Sequence, residues 1–327
     1  MSTLLPKFRL AEPRTIREAI AVRDGHPGGR FIAGGTDLMV NMRRGISSPE
    51  LLIDLSGIDE LTEIQIRNDG VTIGAGVTIA ALAGNDVIAA RYHALAQAAA
   101  AVAGPGHRTM GTVGGNLCLD TRCIYYNQSE WWRSANGYCL KNRGSICHVA
   151  PQGQRCHAAF SGDLAPALLA LGAEIDISGA QETRRIPLGQ LYVEDGKAHL
   201  ALADGELITA VHLPSDPPPS AYAKIRTRGA IDFPLAGVAV ALATSGASIV
   251  SLHVALTGTN SRPFLLAGTD GFVQRSVDDK LLQEVDRLVQ KQVQPMRTTT
   301  TSANYRRLAA ASMAKRLIAT LCTANPA

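Results

Sequence analysis

The 327-residue chain is 46% hydrophobic and 18% charged, with a formal net charge of +4. That is a globular balance, long enough for two or three domains with cores of their own, and too weakly basic to call for a nucleic-acid partner. The longest apolar run, residues 95–104, is broken by Gln97 and too short to cross a membrane, and residues 1–13 hold no apolar signal core, so the expected compartment is the cytoplasm.

In chain order, Pro13 and Thr15 mark the start of a helix over 15–22. Short apolar strands are predicted over 31–33, 51–55 and 71–73, and helices over 79–85 and 92–102. No run resembles the regular alternation of a doubly wound sheet. The nearest approach to a G-x-G-x-x-G, Gly74-Ala75-Gly76, has Ile79 where the third glycine belongs. Residues 120–158 then break the pattern. They hold both Trp, three of the seven Tyr and four of the six Cys, show no hydrophobic period, and read as an irregular loop. Beyond them come a helix (164–171), strands (173–177 and 207–213), a linker (215–219), strands (238–243 and 252–256) and amphipathic helices (277–293 and 303–321). The fold class is α+β, with a separate C-terminal domain. Lys224, Arg226 and Arg228 alternate along one strand-like face and read as a solvated edge.

Two glycine pairs stand beside short polar side chains. They are Gly34-Gly35 before Thr36 and Asp37, and Gly114-Gly115 between Thr112 and Asn116. Paired glycines either form tight turns or let consecutive N–H groups converge on a pyrophosphate, with Thr36, Thr112 and Asn116 adding donors. Asp37 opposes phosphate contact unless it faces away to hold the loop.

Cys123, Cys139, Cys147 and Cys156 are separated by fifteen, seven and eight residues, which matches no common zinc or ferredoxin spacing. Four thiols in a segment without an apolar core still favour a crosslinking metal, zinc or an iron–sulfur cluster, over free thiols. Cys118 is a fifth candidate, His148 and His157 are alternative ligands, and Cys322 reads as structural. Signatures of serine hydrolases, zinc proteases and P-loop enzymes are absent from the sequence.

Four ordered segments carry a resemblance: AGGTDL (33–38), TVGGNLC (112–118), GDLAPALLALGAEI (162–175) and AYAKIRTRGAIDFPLAGVAVAL (221–242). Together they resemble the FAD subunit of xanthine dehydrogenase-type molybdenum hydroxylases, over essentially the whole chain. The resemblance implies a vanillyl-alcohol-oxidase (PCMH)-type FAD-binding domain over 1–216, with subdomains of about 1–57 and 58–216. A C-terminal domain of the CO dehydrogenase flavoprotein type would follow over 217–327. It further implies FAD contacts from Arg30, Phe31, Ile32, Ala33, Gly34, Gly35, Thr36 and Asp37, and from Thr112, Val113, Gly114, Gly115 and Asn116. Val102 or Ala103 would pack near the flavin, and Asp163 and Lys224 would supply polar contacts.

Residues 119–159 are an insertion of about forty residues relative to ordinary members, and they resemble that of the 4-hydroxybenzoyl-CoA reductase branch. There the loop carries a 4Fe–4S cluster, which would assign Cys123, Cys139, Cys147 and Cys156 as ligands and exclude Cys118. The implied assembly is a heterotrimer that dimerises, with a molybdopterin (alpha) subunit and a 2Fe–2S (gamma) subunit. Ferredoxin would be the electron donor for reductive dehydroxylation to benzoyl-CoA, and no residue of this chain would be catalytic in its own right. Arg133, Lys141 and Arg143 of the basic loop would steer an acidic ferredoxin. Two other readings stand beside this one: the FAD subunit of a hydroxylase acting on a different aromatic or heterocyclic substrate, and a non-catalytic assembly protein stabilised by zinc.

Overall fold

A computed structural model of the protein describes residues 5–324. The first four residues of the signal reading and the last three of the chain lie outside it. The chain builds three sheets in sequence. The first is parallel, in the order Arg9–Ala11, Leu51–Asp54, Arg30–Ile32. Its middle strand carries Leu51, Leu52 and Ile53, all buried, as a strand covered on both faces requires. The helix Ile16–Asp24 makes the crossover, and Thr15 caps it by accepting from the Glu18 N–H at 3.1 Å. Residues 9–54 therefore alternate short strands and helices, as the sequence reading expects, without extending into a doubly wound sheet. The parts that went unseen are a three-residue strand and the short helix Leu38–Arg43, both below the length at which a period shows.

The second sheet is antiparallel, in the order Ile64–Arg67, Gly70–Gly74, Leu207–Pro214, Glu174–Ser178, Thr183–Pro187. The helices His93–Ala101 and Leu164–Ala170 share its apolar core and pack on the third sheet and on each other. Every residue of the second helix is buried, because it also packs on the third sheet. That sheet runs Phe264–Leu265, Ser248–Thr257, Ala236–Ser245, Ser220–Ile225, again antiparallel. Leu281, Val285 and Val289, four residues apart, seat the helix Asp279–Gln292 against the C-terminal core, and the long helix Ala303–Ala324 packs beside it. The predicted linker separates the second sheet, ending at Pro214, from the third, beginning at Ser220.

The cysteine-bearing insertion closes on itself. Arg122 and Ala159 exchange two backbone hydrogen bonds of 2.8 Å, so its ends meet in a single bridge. The segment is irregular except for one short helix, Glu130–Ala135, capped by Ser129. Its apolar cluster is small: Cys123, Tyr126, Cys156 and Ala158, with a few half-buried neighbours. Polar staples do the rest. Arg133, 1% exposed, donates to the carbonyls of Arg44 and Gly45 and to Glu130. That corrects the steering surface expected from charge, since Arg133 and Lys141 both face inward and only Arg143 remains exposed.

Among the described residues, no helix is long and apolar enough to cross a membrane.

Candidate functional site

One large cavity, of about 1070 Å³, opens between the first sheet, the second sheet and the loop 226–233. It is roomy enough for a dinucleotide. Arg30, Phe31, Ile32, Ala33, Gly34, Gly35, Thr36 and Asp37 all line it, as do Val102, Ala103, Thr112, Gly114, Gly115, Asn116 and Asp163. The sequence-predicted residues are thus brought together, with two exceptions. Val113 is buried in the core beneath the cavity, and Lys224 stands behind Asp163.

The glycines are there for close approach of loop to loop. A Cβ on Gly34 would sit 1.7 Å from the Met110 carbonyl oxygen, and one on Gly114 would lie 2.9 Å from the Ala75 Cβ. The Gly114 N–H donates to Ala75 O at 2.8 Å, so three glycine-bearing segments are stitched into one wall. The second pair also differs from the turn or phosphate nest expected. Thr112 caps a short helix, Val113–Leu117, by accepting from the Gly115 N–H at 3.1 Å. Asn116 holds the next segment in place by accepting from the Leu164 N–H at 3.0 Å.

Asp37 does face away from the glycines. It accepts from Asn41 Nδ2 at 3.1 Å and pairs with Arg122, the residue that closes the insertion. Burial lifts its pKa above the usual carboxylate range, against the pull of Arg122. Two buried polar atoms beside this wall, Asn41 Oδ1 and Arg122 Nη1, have no partner in the protein. On the opposite side, Asp163 accepts from Tyr222 Oη at 2.7 Å and pairs with Lys224 Nζ at 2.9 Å, and its pKa too is raised by burial. Ala103, at φ +39°, accepts from the Ile231 N–H at 3.2 Å, and Ile231 itself is at φ +53°. Sequence reasoning missed two further lining segments, 200–208 and 228–233. It also set aside Ala75-Gly76, where the interrupted glycine motif was the available signal.

A second, much smaller cavity lies inside the insertion. Cys123, Cys139, Cys147 and Cys156 all border it, together with Tyr125, Tyr126, Leu140, Lys141, His148, Val149 and Ala158. No disulfide joins the six cysteines, which are free. Among the described residues, no three His, Cys, Asp or Glu side chains come close enough to hold a single metal ion. The four sulfurs border one cavity, and thiolates are ligands that suit zinc or an iron–sulfur group. Backbone N–H groups already point at the sulfurs: Ala158 N–H donates to Cys156 Sγ at 3.4 Å, and those of Tyr125 and Tyr126 face Cys123. Burial pushes the Cys123 and Cys156 thiols up to about 11, so metal uptake there releases protons. Cys118 lines the large cavity instead, buried and pushed up to about 12. His148 borders the thiol cavity but bonds the Tyr138 carbonyl, and His157 does not border it.

A family profile described as the FAD binding domain in molybdopterin dehydrogenase matches residues 6–216, and the CO dehydrogenase flavoprotein C-terminal domain matches residues 220–321. The chain is 34% identical over 276 residues to the aldehyde oxidoreductase FAD-binding subunit of Escherichia coli, covering 80% of this chain and 85% of that one. It is 28% identical to the carbon monoxide dehydrogenase medium chain of Afipia carboxidovorans, over 95% of each. Among solved structures, a chain of the cyanide-inactivated Cu,Mo-CO dehydrogenase superposes with a TM-score of 0.79 at 26% identity, covering 98% of this chain and 99% of that one. The α+β class and the flavoprotein-type C-terminal domain agree with the resemblance read from the motifs. The chain therefore belongs to the family of FAD-binding subunits of molybdenum hydroxylases.

Proposed function

We propose that the chain is the electron-transfer subunit of a molybdenum hydroxylase-type complex, holding FAD in the large cavity and a 4Fe–4S cluster at Cys123, Cys139, Cys147 and Cys156. The domain division at about residue 216, and the molybdopterin and 2Fe–2S partner subunits, belong to this reading. The observation that carries it is the convergence of all four insertion cysteines on one cavity beside the dinucleotide-sized one. When bound, FAD exchanges electrons in pairs or singly, and an iron–sulfur group exchanges them singly.

The chain's own residues then have separate tasks. Gly34 and Gly114 let the segments of one wall of the FAD cavity pack together, and Asp37 ties that wall to the insertion through Arg122. Asp163 neutralises Lys224 beside the cavity, and Thr36 and Asn116 offer polar groups to the cofactor. The four thiols would each give up a proton to bind iron. Analysis of the anaerobically purified protein tests the reading. Equimolar flavin, with iron and acid-labile sulfide in equal amounts, is expected. Zinc without sulfide would replace the reading with that of the assembly protein.

For the complex as a whole, the reaction is reductive removal of the phenolic hydroxyl of 4-hydroxybenzoyl-CoA, with ferredoxin as donor. The insertion's likeness to that branch supports it. Oxidation of an aldehyde is the second reading, favoured by the 34% identity to an aldehyde oxidoreductase subunit. Co-expression with the partner subunits and parallel assays for benzoyl-CoA formation and aldehyde oxidation decide between them.

A further inference from the structure

The two cavities share a wall. Tyr126 and Lys141 border both, and no other described residue does. Lys141 is an unusual component for such a partition, since its side chain is only 5% exposed. Its ammonium group is nevertheless fully occupied: Nζ donates to Asp120 Oδ1 at 2.7 Å, to the Gly196 carbonyl at 2.6 Å and to Thr121 Oγ1 at 2.5 Å. It stands 5.0 Å from the centre of the Tyr126 ring, and Tyr126 Oη in turn donates to Asp120 Oδ2 at 3.1 Å. The cation is therefore fixed rather than mobile.

The pair is also oriented. Lys141 borders both cavities, whereas Asp120 borders only the large one, so the positive end lies toward the thiols. At a side chain only 5% exposed, a fixed charge acts more strongly than it would at the surface. Adding one electron to a group held by four sulfurs adds one unit of negative charge at that cavity. A neighbouring cation favours that state over the oxidised one.

We infer that Lys141 is a potential-setting residue: its buried ammonium group raises the reduction potential of the iron–sulfur group held by the four cysteines, with Asp120 holding it in place and Tyr126 forming the rest of the partition. The inference rests on the cluster reading above. Lys141 acts through its charge at the thiols, and Asp120, which acts through Lys141, is the positioning residue.

The test is a potentiometric titration of the iron–sulfur magnetic-resonance signal in the full chain, with its cofactors bound. Lys141→Gln lowers the midpoint by a tenfold change in the one-electron equilibrium, about 59 mV. Asp120→Asn raises it, because the ammonium group then lacks its compensating charge. Lys141→Arg keeps the midpoint near that of the parent protein. Simple loosening of the insertion would not move the first two variants in opposite directions. Asp120→Asn keeps the size of the side chain and an acceptor oxygen for Lys141, so it carries the test if Lys141→Gln does not fold. Iron and sulfide present with an unmoved midpoint, or with both variants shifted the same way, would overturn the inference alone. A parent protein without iron and sulfide would remove the cluster reading and this inference with it.

Discussion

The C-terminal domain and the cysteine-bearing insertion each hold irregular chain in place with a fully buried arginine, and the likeness ends there. Arg306 donates to the carbonyls of Leu235 and Met296 at 2.9 and 3.0 Å and to that of Gly258. It lies over a broad apolar core of sheet and helix, and burial lowers its pKa to about 10. Arg133 does the same for Arg44, Gly45 and Gln128, but beneath it the insertion has a core of four residues, two of them cysteines. One arginine completes a domain already paid for by hydrophobic burial. The other helps organise a segment whose buried groups are mostly polar or thiol, so on the proposed cluster reading the order of the insertion depends on what the thiols bind.

The largest effect that tests this contrast is removal of a thiol. Serine at Cys123, Cys139, Cys147 or Cys156 is expected to abolish iron binding and to open 120–158 to proteolysis, while the C-terminal domain melts as before. Full iron content in any of the four variants would break the comparison. Cys322→Ser, in the C-terminal helix, serves as the control and is expected to shift stability by less than about 0.5 kcal/mol.

Next come the arginines. Arg306→Met strands several buried carbonyls and is expected to cost about 4 kcal/mol of global stability in urea melts. Arg133→Met is expected to cost about 3 kcal/mol, expressed as local opening of the insertion in hydrogen exchange while flavin absorbance persists. A uniform loss of protection across the chain would show that the insertion is no separate unit.

Much of the large cavity was legible because short motifs carry it. Gly34-Gly35 and Gly114-Gly115 with their polar neighbours marked two segments of one wall, and both line the cavity. What the sequence could not convey was the reason for the glycines. Their contacts are with Met110 and Ala75, remote segments whose approach no local pattern encodes. The segment 200–208 was invisible for the same reason, since it lines the cavity with loop backbone and mixed side chains. In the insertion, four thiols could be grouped by composition. The burial of Lys141 could not be foreseen, because its partners include the carbonyl of Gly196, fifty-five residues away. The helix Glu130–Ala135 is a different kind of miss, for Ser129 before it was a readable cap.

The smallest expected effect sharpens the comparison by pH. His199 lies at the root of the insertion, where Nε2 donates to the Leu119 carbonyl at 3.0 Å and the ring packs against Phe160 at 5.9 Å. Burial, helped by the nearby Lys141 charge and opposed by Asp120, lowers its pKa to about 4. The folded protein thus keeps this imidazole neutral where the unfolded chain protonates it, at its ordinary value of 6.5. The unfolded state binds more protons between those values, so stability is fully present above the upper one and is lost as pH falls toward the lower. Between about pH 7 and about pH 5 the loss from this group is roughly 2 kcal/mol. His199→Gln, which retains a donor for Leu119, is expected to flatten that part of the melting profile. Because His199 bonds the chain just ahead of Arg122 and Ala159, the acid-sensitive step in the parent protein is expected in the insertion and the second sheet, ahead of the C-terminal domain. Hydrogen exchange at the two pH values measures that order directly, and simultaneous loss of both regions would count against it.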